Sequence, residues 1–245
     1  MNLNPKHAQF CDGLRFTTEM VDKAYQELVI NLLPLSGPGS EEFRVSAAGP
    51  FLFAWSIVDG AHRLRGLVEN FPSLSEKGQS PEFRDLLDKA EVVEKLRNIV
   101  QHMDSEIHRS VEAGKAVWGI LRWVNRPSQS TVSTCMLVSG AMMPEGNHNA
   151  LNPAVGLTLA PGQLDHVTLT VGAVTVNLSD LMRSLGRLVE AIENGLREAF
   201  KVFPDRSGSD MWIALAGEVG ASNTVVFPAH GTPQLVQDRV IAKAS

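Results

Sequence analysis

The run from Pro81 to Val111, PEFRDLLDKAEVVEKLRNIVQHMDSEIHRSV, limits the possible folds more than any other stretch of the chain. Phe83, Leu86, Leu87, Ala90, Val93, Leu96, Val100, Met103, Ile107 and Val111 recur at three- and four-residue steps, so the run predicts one long helix with an apolar face. Ser80 can cap its start, and Pro81 suits the first helical position, where no amide hydrogen is needed. Such a stripe must be buried against other elements.

The preceding segments supply two partners. Residues 1–15 read as a loose leader. Phe16 to Leu33 predicts a first helix, with Phe16, Met20, Ala24, Leu28 and Leu32 on one stripe, Thr17 or Thr18 as its cap and Pro34 as its stop. Leu35 to Gly49 is rich in Pro, Gly and Ser and reads as a loop. Pro50 opens a second helix to about Asn70. Its first turns, Phe51 to Val58, are apolar nearly all round, which marks it as central; further on, Ala61, Leu64, Leu67, Val68 and Phe71 face inward.

After Gly114 the apolar period changes to two. Val117 to Val124, Thr131 to Ser139, Val155 to Leu159 and His166 to Val176 read as strands of an antiparallel meander, with a turn at Asn125 to Ser128 and a longer loop at Pro144 to Pro153. The helical period returns at Leu178, Leu181, Leu185, Leu188, Leu196 and Phe200. Asn177 caps this last helix, Asp180 lies in its first turn and Pro204 ends it. Short strands are expected at Met211 to Ala216 and Thr224 to Phe227, before a polar tail. The expected fold is α+β: a bundle of about four helices with an antiparallel β-meander inserted between helices three and four. The expected organisation is a leader at 1–15, the bundle at 16–204 with its insertion at about 117–176, and a C-terminal extension at 205–245.

Apolar residues make up 44% of the 245 and charged residues 20%, a globular composition. The net charge of −5 argues against a general nucleic-acid coat, so a polyanion must be met by a local basic patch. Cys11 and Cys135 are too few for a multi-thiol metal site or a disulfide scaffold. The first residues lack a basic region followed by an apolar run, and Pro50 to Val58 is too short to span a bilayer. A cytoplasmic protein without a membrane anchor is the expectation.

Candidate chemistry lies at Arg97-Asn98-Ile99-Val100-Gln101-His102. Helical steps place Arg97 and His102 roughly 140° apart, with Arg97 flanking the stripe and His102 away from it beside Asn98. Imidazole shuttles protons near neutral pH, and guanidinium grips phosphate through a planar fork. The pair suits phosphodiester cleavage without a metal. A second set lies on helix two: Asp59, His62, Arg63 and Arg65. Asp59 can touch both His62 and Arg63, and the arginines can hold phosphates beside Arg97; the plainer reading is a surface salt bridge. Asp59–His62, His102–Glu106 and Asp104–His108 are spaced for metal ligands, but the repeated Glu-x-x-His pattern of di-metal bundles is absent, so no metal or other cofactor is expected. Trp118 and Trp123, with Arg122 and Arg126 nearby, either stack bases or pack in the core. No phosphate-cradling glycine loop or nucleophile elbow is present.

The motif Arg97-Asn98-x-x-x-His102 on a long bundle helix resembles the signature of the HEPN superfamily, the higher eukaryotes and prokaryotes nucleotide-binding domains. The family pattern is an arginine, commonly followed by Asn, Asp or His, then a histidine after four to six residues. The likeness covers roughly residues 16–112 and 177–203, and neither the meander nor the tail. It implies a metal-independent endoribonuclease or an RNA-binding protein of toxin or defence type. Arg97, Asn98 and His102 would be catalytic; the helix-two set Asp59, His62, Arg63 and Arg65, read from its own spacing, would be the RNA-binding candidates beside them. It implies a homodimer bringing two motifs into one cleft, and a protein partner such as an antitoxin. The competing reading is a non-catalytic protein–protein interaction module on the same bundle.

Overall fold

The structure is a computed structural model that describes residues 5–36, 46–70, 81–102, 116, 118–128, 132–139, 159–160, 162–199, 223–226 and 234–237. The chain divides into two compact units, 1–203 and 204–245.

The first unit is α+β, as the change of period predicts. Its helices are α1 (Pro5–Leu32), continued by a 3-10 turn (Leu33–Ser36), then α2 (Ala48–Glu69), α3 (Pro81–Gln101) and α4 (Leu178–Ala199). Between α3 and α4 lie β1 (Ile120–Asn125), β2 (Ser133–Val138), β3 (Leu164–Val171) and β4 (Val174–Asn177). Helix α1 packs on α2, α2 on α3 and α3 on α4, and α4 touches α1, so the helices close a ring. The sheet lies against α3 and α4 through β4 and β3.

One core joins both layers. It holds Leu28 and Leu32 of α1, Ile57 and Leu64 of α2, Leu86, Val93 and Leu96 of α3, Leu121, Val167 and Leu169 of the sheet, and Leu178, Leu181 and Leu188 of α4. Gly60 permits a close approach of α2 to α1: a Cβ there would stand 2.2 Å from Cγ2 of Val21.

Helix α1 differs from expectation in start and register. Residues 5–15, expected as a leader, form its first turns, and Thr17 is not a cap but bonds back to the Gly13 carbonyl at 2.7 Å. The buried face is Leu14, Thr17, Val21, Ala24, Leu28 and Leu32, whereas Phe16 and Met20 are 43% and 57% exposed. Uniform four-residue steps advance about 40° each, so the stripe begun at Phe16 drifts off the face that alternating three- and four-residue steps hold. Helix α2 starts at Ala48 rather than Pro50. Helix α3 is described to Gln101, with His102 in the following turn; the part of its stripe from Met103 to Val111 lies outside the described residues.

The sheet is antiparallel throughout, but its order is β2-β1-β3-β4, so β1 rather than β2 neighbours β3 and the path is not a sequential meander. His166 to Val176, expected as one strand, is a hairpin: the chain reverses at Gly172, in the left-handed region at φ +61°, and β4 follows. Strand β1 begins at Ile120, two residues beyond Trp118. Of the strand expected at Val155 to Leu159, residues 155–158 lie outside the described residues. The pairing of β1 with β3 shifts between Arg122 and Val124, close to His166 with its left-handed φ of +52°. Trp123 is 2% exposed, and its indole donates to Ser36 Oγ at 2.7 Å, fastening β1 to the end of α1. Asn177 Oδ1 accepts from the Asp180 amide at 3.0 Å, the expected cap of α4.

The second unit contains an antiparallel pair, β5 (Asn223–Val226) and β6 (Gln234–Gln237). Strand β5 falls on the expected Thr224 to Phe227. Strand β6 has no counterpart among the expected strands, and Met211 to Ala216 lies outside the described residues.

Candidate functional site

Helices α2 and α3 bring Asp59, His62, Arg63 and Arg97 together. Asp59 and Arg63 stand four residues apart on α2, one turn, so the Arg63 Nε reaches Asp59 Oδ2 at 2.8 Å. Arg97, projecting from α3, donates Nε to Asp59 Oδ1 at 3.1 Å and Nη1 to His62 Nε2 at 3.3 Å. Gln101, one turn along α3, places its amide against the same guanidinium; with the amide turned so that its oxygen faces Arg97, it accepts from Nη1 at 3.1 Å and Nη2 at 2.9 Å. One carboxylate thus serves two arginines from two helices, and the cluster carries one positive charge in excess.

Burial works against the ionised form of Asp59, but hydrogen bonds from Arg97 and Arg63 outweigh it and hold the carboxyl below its ordinary value. His62 accepts from Arg97 through Nε2, so its ring proton belongs on Nδ1. That Nδ1 is buried, with no hydrogen-bond partner among the described residues.

The other expected site residues are Asn98, His102 and Arg65. Asn98 is exposed, and its carbonyl accepts from the His102 amide at 3.2 Å. His102 is exposed in the turn that ends α3. Arg65 is turned to two glutamates, donating to Glu69 at 2.8 Å and Glu94 at 2.6 Å, so its charge is spent on tying α2 to α3. Asp59 touches Arg63 and Arg97 but does not orient His62, whose Nε2 goes to Arg97 instead. Gln101 is absent from the sequence-based candidates, although its four-residue step from Arg97 is a usable signal. The Glu94 contact crosses between helices and leaves no local sequence mark.

Other polar groups are structural. Ser184 is buried, accepts from Lys89 Nζ at 2.7 Å and donates to Asp85 Oδ2 at 2.6 Å, while Arg187 reaches the same oxygen at 2.6 Å. This network joins α3 to α4, and its hydroxyl is closed to a substrate. Cys11 and Cys135 are free; burial pushes both thiols above their ordinary value, so neither is primed as a nucleophile. Among the described residues no three His, Cys, Asp or Glu side chains gather as a metal-binding group. Asp104, Glu106 and His108 lie outside the described residues. No helix among the described residues is long and apolar enough to cross a membrane.

Compared with family models, curated proteins and solved structures, the chain finds no match.

Proposed function

We propose that the α2–α3 face binds RNA and cleaves its phosphodiester bonds without a metal ion, as the likeness of Arg97-Asn98-x-x-x-His102 to the HEPN signature implies. The observation that carries this reading is the Arg97 guanidinium, fixed at a half-buried position by Asp59, His62 and Gln101. Rigid placement lets an arginine meet charge as it develops on a phosphate, with little reorganisation at the moment of reaction. Arg97 binds the scissile phosphate and Arg63 extends the positive surface. His102 carries protons and Asn98 positions the substrate. The ribose 2′-hydroxyl loses its proton and attacks phosphorus, the 5′-oxygen leaves with a proton, and a cyclic phosphate and a free 5′-hydroxyl result. In this reading two copies of the chain pair, and the second contributes its own Arg97 and His102 to the cleft; a protein partner such as an antitoxin covers that cleft. Arg65 has no part in it, because Glu69 and Glu94 neutralise it.

One observation favours a second reading. Most donors of Arg97 are used within the helix pair, which suits a clamp between α2 and α3 in a non-catalytic interaction module. A cleavage assay on mixed cellular RNA in EDTA separates the two. Turnover by the wild type, abolished in Arg97→Ala and His102→Ala, supports the nuclease. No turnover by a well-folded wild type leaves the module.

A further inference from the structure

Trp55, Asp59 and His62 follow one another at i, i+4 and i+7 on α2, so they share one helix face. His62 lies about 10 Å along the axis from Trp55. The Trp55 indole donates to the Trp118 carbonyl at 3.3 Å, which holds the segment before β1 against the N-terminal half of α2. Trp118 is itself 48% exposed, and Leu52, three residues before Trp55, is 63% exposed. The two tryptophans flanking the start of β1 therefore have opposite fates: Trp123 fills the core and Trp118 is presented to solvent.

We infer that Trp118 is a stacking platform for an unpaired RNA base, on the strand whose phosphate is held at Arg97. This rests on the RNA reading of the Arg97 cluster and names the substrate class as single-stranded. The occupant is argued from charge and from the shared α2 face. Arg63 and Arg97 share a single carboxylate, leaving an excess positive charge on the α2 face whose Trp55 holds the Trp118 carbonyl; positive charge together with an exposed indole is the pairing that single-strand binders use. A duplex hides its base faces and cannot use the platform, whereas every unpaired base has a π-face to offer.

The test is fluorescence anisotropy of a labelled 2′-O-methyl oligonucleotide of about twelve nucleotides, long enough for a single-strand site. Blocking the 2′-hydroxyl stops cleavage, so binding is read alone. The full chain is measured as wild type, Trp118→Ala, Trp118→Leu and Arg97→Ala, at several salt concentrations, with the same sequence as a duplex. Trp118→Leu keeps apolar bulk but lacks the aromatic face, so it serves where the alanine variant folds poorly. The expected result is tighter binding of the single strand than of the duplex, and roughly tenfold weaker binding in both Trp118 variants with an unchanged salt slope. Arg97→Ala should lower the magnitude of that slope by about 0.7, the share of one neutralised phosphate on a single strand. Wild-type affinity in folded Trp118 variants, with Arg97→Ala weakened, overturns the platform and leaves the RNA reading standing. Equal binding of duplex and single strand likewise overturns the platform. No RNA binding by the folded wild type overturns both.

Discussion

Arg97 of α3 donates Nη1 to Nε2 of His62 on α2 at 3.3 Å, and that one contact selects the histidine tautomer. With Nε2 accepting, the ring proton sits on Nδ1, which is buried without a partner among the described residues. The imidazole orients the guanidinium, and the guanidinium in turn keeps the ring from using Nε2 elsewhere.

Arg97 therefore has two duties that substitution can separate. Arg97→Ala should lower RNA cleavage by roughly 10² or more and also weaken the fold by about 1 kcal/mol, since Asp59 and His62 are left without its guanidinium. Arg97→Lys keeps the charge but not the planar fork, so it should recover little of the cleavage. Initial rates in EDTA with thermal melts alongside check both; full activity in Arg97→Ala refutes the phosphate-binding role.

His102 should separate activity from stability more cleanly. It is exposed at the end of α3, so His102→Ala should change stability by only about 0.5 kcal/mol. Removal of a proton carrier should still reduce cleavage by roughly 10². Rate and melting temperature, measured on one preparation, show whether both statements hold.

Acid should weaken the α3–α4 contact. Asp85 is held well below the ordinary carboxylate range, chiefly by its hydrogen bonds from Lys89 and then from Ser184. A carboxyl lowered in the folded state stabilises it above the unfolded value near pH 4, and that contribution fades as pH falls further. Melting temperature should therefore hold steady above about pH 5 and drop below about pH 4, with a shallower drop in Asp85→Asn. Asp59, lowered by Arg97 and Arg63 against the opposing effect of burial, adds in the same direction.

Gly60→Ala should cost about 1–3 kcal/mol, because the added Cβ meets Val21 Cγ2 at 2.2 Å, and overpacking of a tight contact falls in that range. Val21→Ala in the same chain should relieve part of that cost. Denaturant midpoints of the two single variants and the double variant give the coupling; additive effects would mean that the helices separate rather than clash.

The sequence carries the larger elements because their signals are local. The return of helical spacing at Leu178 and the Asn177–Asp180 cap locate α4, and alternation in the middle segment locates β1 to β3. What depends on geometry across elements is not written locally. Phe16 and Met20 resemble Leu14 and Val21 in apolarity, and only packing against α2 decides which face turns in. The order β2-β1-β3-β4 is a choice among pairings that alternation does not encode. At the candidate site, Asp59 with Arg63 is legible as a four-residue pair, whereas Arg97 with His62 joins residues 35 apart and has no local signature.

The placement of the sheet has a kinetic consequence. The contacts that complete the first unit are remote in the chain: Trp123 with Ser36 spans 87 residues, Arg187 with Asp85 spans 102, and Tyr25 with Ser179 spans 154. As the chain leaves the ribosome, α1, α2 and α3 emerge long before α4, with the apolar side of α3 awaiting its cover. Such high contact order slows the final closure and leaves a sticky, three-helix nascent species for chaperones to guard. A truncation that stops before Leu178 should behave as that species held in place, prone to aggregate where the full chain does not.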